Sequence, residues 1–219
     1  MIFIFLGAPG SGKGTQATLT AEKYRLTQIC TGDILREAVQ RKDALGLKAA
    51  DYMTAGKLVP DDLVIDIIEQ RIERANCKRG FLLDGFPRTI EQAKRLGKML
   101  KQRNRALSEV FYIKVEEKQL IRRLTGRRIC PQCSKLYHIE FNPPKRDELC
   151  DICHIPVVQR KDDSPEVVLS RLEVYRQKTE PLVKYYQKKD MLIPVEGNGK
   201  VDEIFREISQ KIDGFLPGN

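Results

Sequence analysis

The sequence predicts an α/β fold with a central parallel five-stranded sheet flanked by helices. Three observations predict it. Short apolar runs at residues 1–6, 26–30, 81–84, 110–115 and 192–195 read as buried strands. Stretches with apolar residues at helical spacing stand between them, as crossover connections require. Residues 126–163 break the alternation, being rich in Pro, Cys and Lys with little helical periodicity, and read as an inserted subdomain.

Residues 1–6 run into a Gly-rich turn and then a helix from Lys13 to about Tyr24. The apolar run is too short to span a membrane and lacks the basic flank of a signal peptide, so a cytoplasmic protein with no membrane association is expected. After the second strand, Thr31 and Asp33 offer capping side chains for a helix to about Arg41. A short helix over residues 45–55 stops at Gly56. Pro60, Asp61 and Asp62 open the next helix, because proline fits the first turn and carboxylates favour the positive end. Val64, Ile68 and Ile72, widened by Leu63 and Ile67, give that helix a face that packs on a sheet. Residues 90–102 and 117–124 are helical. Ser164, Pro165 and Glu166 restart a helix that runs to about Lys189, kinked at Pro181. Val201, Ile204, Phe205, Ile208 and Ile212 line the last helix.

At 219 residues, the chain can build one main domain with small inserts. Hydrophobic residues at 41% and charged residues at 32% describe a globular chain and exclude a disordered one. The formal net charge of +9 suits nucleic acid, an anionic membrane, a polyphosphate ligand or a merely solvated basic surface, and charge alone does not choose.

The loop after the first strand is more specific. Gly7, Ala8, Pro9, Gly10, Ser11, Gly12, Lys13, Gly14 and Thr15 join a strand directly to a helix. Such glycines let backbone N–H groups wrap around phosphates, and the helix N-terminus adds partial positive charge. Lys13 supplies a point charge for terminal phosphates. The loop departs from the strict pattern at Gly14, where a serine or threonine is expected, with Thr15 one place late.

Asp84 ends the buried run Phe81-Leu82-Leu83, a position suited to holding Mg²⁺ directly or through water, or otherwise to a cap or ion pair. Gly85, Phe86, Pro87 and Arg88 follow, and Arg88 suits a phosphate clamp. Gln92 can donate and accept at once, which suits reading a base edge.

Cys130-Pro131-Gln132-Cys133 and Cys150-Asp151-Ile152-Cys153 are two C-x-x-C pairs sixteen residues apart. Each pair can grip one metal, and four thiolates complete a tetrahedral site. The segment between is too polar to build a core, so the reading is structural Zn²⁺ with no catalytic role. Disulfides are the alternative, disfavoured in a reducing compartment. Cys30 and Cys77 lack such partners and read as thiols, and four cysteines leave His138 no place as a ligand.

The phosphate loop GxPGxGKGT at residues 7–15 and Asp84-Gly85-Phe86-Pro87-Arg88 together resemble the adenylate kinase family, in its bacterial-type form with a long lid. Thr31-Gly32-Asp33-x-x-Arg36, Ala55-Gly56-Lys57-Leu58-Val59 and Arg160-Lys161-Asp162-Asp163 extend the likeness over nearly the whole chain. The resemblance implies a P-loop kinase core (residues 1–29, 60–125 and 164–219), a small helical monophosphate-binding insert (30–59) and a zinc-binding lid (126–163). It implies a monomer that converts MgATP and AMP reversibly into two ADP. By position, Thr31, Arg36, Lys57, Leu58, Val59, Gly85, Phe86, Pro87, Arg88 and Gln92 face AMP. Gly10, Ser11, Gly12, Lys13, Gly14, Thr15, Arg123, Arg127, Leu136, Tyr137 and Lys200 face ATP. Arg160 and Arg171 reach the monophosphate and the phosphates in flight. Lys13, Asp84, Arg88, Arg127, Arg160 and Arg171 are the expected catalytic set.

Two other functions compete. A zinc-ribbon nucleic-acid-binding protein would share the cysteines and the charge, but leaves the phosphate loop unexplained and has few aromatics among its basic residues. A relative acting on UMP, CMP or GMP would share the whole scaffold, and Gln92 with Thr31 favours adenine.

Overall fold

The computed structural model describes residues 1–215. Its main sheet has the order β2-β3-β1-β4-β7, every pair parallel. The strands are β1 (Ile2–Leu6), β2 (Thr27–Cys30), β3 (Phe81–Asp84), β4 (Glu109–Lys114) and β7 (Leu192–Glu196). All five fall on the apolar runs. The two-residue repeat of a strand divides β1 between two cores. Ile2, Ile4 and Leu6 pack with Ile65, Ile68, Leu96 and Leu182 on one face. Phe3 and Phe5 pack with Ala17, Phe111, Ile204 and Ile208 on the other. Both faces are covered, as a parallel sheet requires.

The first core includes α4 (Asp61–Ile72), α5 (Ile90–Gln102) and α8 (Pro181–Gln187), and the second α1 (Lys13–Tyr24) and α9 (Val201–Asp213). The helical pair α2 (Thr31–Arg41) and α3 (Ala44–Thr54) follows β2. Strand order reverses at β1, so loops at the carboxyl ends of β1, β3 and their neighbours diverge around one crevice.

Three local expectations change. Thr31 lies inside α2 rather than before it, and the cap position falls to Cys30 with no side-chain capping bond. The hydroxyl of Thr31 is engaged elsewhere, in the crevice. The long helix starting at α7 (Pro165–Val174) has no simple kink at Pro181 but a π turn over Tyr175–Thr179, immediately before α8. Proline lacks the N–H that an α-helical ladder needs there, and one wide turn absorbs the mismatch. The insert at residues 126–163 is not wholly irregular. After α6 (Glu117–Thr125), β5 (Arg127–Ile129) and β6 (Leu136–His138) form an antiparallel hairpin. Its small core is Cys130, Tyr137 and Cys150.

Candidate active site

β1 delivers the chain to the crevice, and residues 7–15 turn it into α1. Gly12 caps α1 with φ +90°, a left-handed backbone that strains any residue with a Cβ. Ser11 N–H donates to the Ala8 carbonyl at 3.1 Å, and Lys13 Nζ reaches the same oxygen at 3.1 Å. The loop therefore holds Lys13 folded over itself at the positive end of a helix.

β3 lies beside β1 with Asp84 in register with Phe5. Asp84 is 7% exposed, and its Oδ2 lies 3.1 Å from where a Cβ on Gly14 would stand. At the departure from the strict loop pattern, any side chain on residue 14 would sit tight against the Asp84 carboxylate, which would have to give by a few tenths of an ångström. Burial pushes the Lys13 ammonium down to about 8 and pushes the Asp84 carboxyl up, each opposing the other's shift through its charge.

Beyond Asp84, the other charges acting on Lys13 are arginines. Its charged form is further disfavoured by Arg88, Arg171 and Arg127. Burial lowers Arg88, and Arg171 adds to it. Burial brings Arg160 down to about 10, with Arg127 and Arg36 pushing the same way. Arg160 Nε is buried with no hydrogen-bond partner among the described residues. Two carboxylates hold part of this cluster. Asp163, at 0% exposure, accepts from Arg127 Nε and Nη2 at 2.7 and 2.5 Å and from Arg171 Nη1 at 2.8 Å. Asp33 pairs with Arg36 and lies 3.8 Å from Arg160 Nη2. These side chains come from four separate stretches, α2, the loop after β3, the insert and α7.

On the β3 side, the Gly85 carbonyl accepts from Thr31 Oγ1 and from Arg88 Nε, both at 2.8 Å. Thr179 Oγ1, in the π turn, donates to the Arg88 carbonyl at 2.9 Å. Gln92 is 1% exposed, its Oε1 accepting from Arg88 N–H at 2.7 Å and its Nε2 donating to Asp61 at 2.7 Å.

A crevice of buried cations built on a Gly-rich loop and an acid-ended strand matches a known family along the chain. The family model for adenylate kinase matches residues 5–191. An adenylate kinase of Clostridium novyi is 50% identical over 98% of this chain and 99% of its own length. The chain belongs to the adenylate kinase family. Adenylate kinases of Methanocella arvoryzae and Geotalea daltonii are 48% and 49% identical, over 97% and 100% of this chain and 98% and 100% of their own lengths. As a member of the adenylate kinase family the protein is a phosphotransferase, and its reaction turns ATP and AMP into two ADP.

Not every expected adenylate kinase site residue meets the others through its side chain. Lys57 and Lys200 are exposed. Arg123 Nη2 donates to the Gly197 carbonyl at 2.9 Å, just past β7. Tyr137 is buried away from solvent, its hydroxyl donating to Cys150 Sγ at 3.4 Å and accepting from Asp151 N–H at 2.8 Å. Its side chain therefore serves the lid core.

In the lid, the four sulfurs of Cys130, Cys133, Cys150 and Cys153 lie within 4.8 Å of one another, and none of the six cysteines is in a disulfide. Backbone N–H groups of Ile152 and Cys153 point at Cys150 Sγ from 3.4 and 3.5 Å, and that of Cys133 at Cys130 Sγ from 3.5 Å. Donors around a sulfur stabilise thiolate, the form that binds metal. Four thiolates at this spacing fit a tetrahedral ion with bonds of about 2.3 Å. Cys30 lies instead in the crevice, where burial and the charge of Asp84 push its thiol well up.

Sequence reasoning missed part of the network. Asp33, Asp162 and Asp163 hold arginines, although all three stand in motifs that carry the family resemblance. Asp61 was read only as a favourable charge at a helix start. Thr179 carries no sequence signal, because only the π turn aims its hydroxyl at Arg88.

Proposed function

We infer that the crevice performs the transfer by alignment and positive charge, with MgATP on the loop at residues 7–15 and AMP between Thr31, Arg36, Arg88 and Gln92. The observation that carries this reading is the gathering of Lys13, Arg36, Arg88, Arg127, Arg160 and Arg171 in one crevice, where burial lowers Lys13, Arg88 and Arg160 and neighbouring arginines push the same way. Such a cluster is relieved by phosphates, whose charge it matches. Both histidines of the chain, His138 and His154, belong to the lid, so no imidazole base serves the acceptor. A phosphate oxygen is already anionic and needs none.

In this reading Lys13 grips the terminal phosphates of the donor, and Gly10, Ser11, Gly12, Gly14 and Thr15 surround them with backbone. Asp84, a hard oxygen donor beside the loop, is the side chain suited to hold Mg²⁺ or its waters. Bound with ATP, that ion neutralises charge on the donor phosphates. Arg88 fixes the acceptor phosphate, and Arg127, Arg160 and Arg171 surround the group in transit. Arg123, Lys200 and the backbone of Leu136 and Tyr137 bound the donor nucleotide. Lys57, Leu58, Val59, Gly85, Phe86 and Pro87 bound the monophosphate. Closing residues 126–163 over the crevice keeps water from taking the phosphoryl group. The four cysteines hold structural zinc, which stiffens that lid.

The protein is proposed to work as a cytoplasmic monomer with no nucleic-acid or membrane partner. No helix among the described residues is long and apolar enough to cross a membrane. A coupled assay with ATP and a panel of monophosphates tests the substrate reading. AMP should far outrun GMP, UMP and CMP, and equal use of all four would sink the adenine assignment.

A further inference from the structure

Gln92 is the side chain read above as facing the base, and the inference below rests on that reading. An amide can face a base edge in two ways that differ by a half-turn. One offers oxygen where the other offers NH₂, so the two prefer opposite bases. Adenine carries a donor amino group at C6 beside acceptor ring nitrogens. A 6-oxopurine carries an acceptor oxygen at C6 and a donor at N1. Whatever holds the amide of Gln92 therefore decides between them.

The structure names the two groups that hold it. Arg88 N–H, which can only donate, meets Oε1 at 2.7 Å. An Asp61 carboxylate oxygen, which accepts, meets Nε2 at 2.7 Å. A half-turn of the amide would set oxygen against carboxylate and N–H against N–H. Asp61 is itself fixed. Its other oxygen accepts from Thr89 Oγ1 at 2.8 Å, and Thr89 Oγ1 in turn caps α5 by accepting from Gln92 N–H at 3.1 Å. The first residue of α4 thus locks a side chain one turn into α5. These bonds use one hydrogen and one lone pair of the amide, leaving one of each for a base. At 1% exposure, bulk water does not compete for these bonds.

We propose that Asp61 is a specificity-determining positioning residue: it holds the Gln92 amide in the one orientation that pairs with adenine, and so excludes 6-oxopurine monophosphates. Asp61 touches no substrate in this scheme. It acts through Gln92.

The test uses the full chain and two substrates, AMP and inosine monophosphate, with ATP. In Asp61→Asn, the new side-chain amide can accept from Nε2 or donate to Oε1, so one of the two restraints on the Gln92 amide is lifted and the flipped orientation costs only its contact with Arg88 N–H. The ratio of kcat/KM for inosine monophosphate to that for AMP should rise about tenfold or more, the scale on which one misplaced polar contact discriminates. Structural damage would lower both substrates together and cannot raise use of the poorer one. Asp61→Ala, which also frees the amide but leaves the Thr89 cap, should move the ratio the same way and serves if the first variant folds badly. An unchanged ratio in the folded variants overturns the role of Asp61. Gln92→Ala separates the two layers. If it relaxes selection while the Asp61 variants do not, only the positioning role falls. If it too leaves selection unchanged, the reading of Gln92 falls, and Asp61 with it.

Discussion

Lys13 stands where burial makes its charge costly. Its ammonium titrates at about 8 in the folded chain against 10.5 ordinarily. The sign follows directly. Between these values the unfolded chain holds a proton that the folded chain has released, so stability rises with pH through this window. Below about 8 the full cost of the buried charge stands. Triphosphate beside Lys13 reverses the shift. Nucleotide binding slightly above that pH should therefore take up a proton, read as a binding enthalpy that varies with the buffer's ionisation heat. In Lys13→Met the uptake should vanish and turnover should fall at least a hundredfold, by roughly the order seen when a transition-state donor is lost. Equal heats in all buffers for the unaltered chain would refute the linkage. Gly14 is the second informative residue. Its Cα faces Asp84 Oδ2 so closely that a Cβ would stand at 3.1 Å. Gly14→Ala should displace the carboxylate and raise the Mg²⁺ concentration needed for half-maximal rate, with little change in melting temperature. An unchanged Mg²⁺ dependence would show that Asp84 does not serve the ion.

At the scale of elements, the lid is built unlike the rest. Its hairpin of β5 and β6 has three residues per strand, too little to bury a stable core alone. Cys130, Cys150 and the ring of Tyr137 fill its centre, with Cys153, Ile155 and Val157 packed against them. Structural zinc contributes on the order of 10 kcal/mol in small isolated fingers, enough to decide whether such an element folds. Cys130→Ser with Cys133→Ser should therefore abolish stoichiometric zinc and expose the lid to proteolysis first. The melting of the sheet core should change little. Activity at low temperature should fall less than stability, since no thiolate touches substrate. A metal-free unaltered chain, with thiols reduced and full heat resistance, would overturn the zinc assignment. The π turn at Tyr175–Thr179 shows a different economy. The same proline that prevents a regular helix lets Thr179 reach the Arg88 carbonyl.

At the scale of the whole molecule, the crevice is a concentration of positive charge gathered from the core and both inserts. Arg160, from the lid, lies 3.8 Å from Asp33 of α2, so the two inserts meet across the site. A folded chain without phosphates bears the repulsion of this cluster, and function is what maintains it. Arg160 has the clearest cost, brought down to about 10 by burial with its Nε unpartnered. Arg160→Met should stabilise the unliganded protein by about 1 kcal/mol, a rise of about 2–4 °C at this chain length. It should also lower kcat by an order of magnitude or more, and shrink the stabilisation that ATP and AMP together confer. A variant less stable than the parent without ligand would contradict the view of Arg160 as a strained charge.

Much of this was legible in the chain itself. The five strands, the phosphate loop, Asp84 and the paired cysteines are local in sequence, and each depends on a periodicity or spacing that neighbours along the chain enforce. Sequence also exposed Gly14 as a departure. It could not show that a Cβ there would crowd a carboxylate from another strand. The same holds for what restrains the arginines. Asp163 reaches Arg127 across 36 positions, and Asp61 reaches Gln92 across 31. Hydrogen bonds of that span depend on how α4 meets α5 and how the two ends of the insert meet. Spacing in a sequence reports which residues share a helix face or a strand. Which faces meet, and so which polar atoms find one another away from water, was decided only when the sheet and its inserts packed.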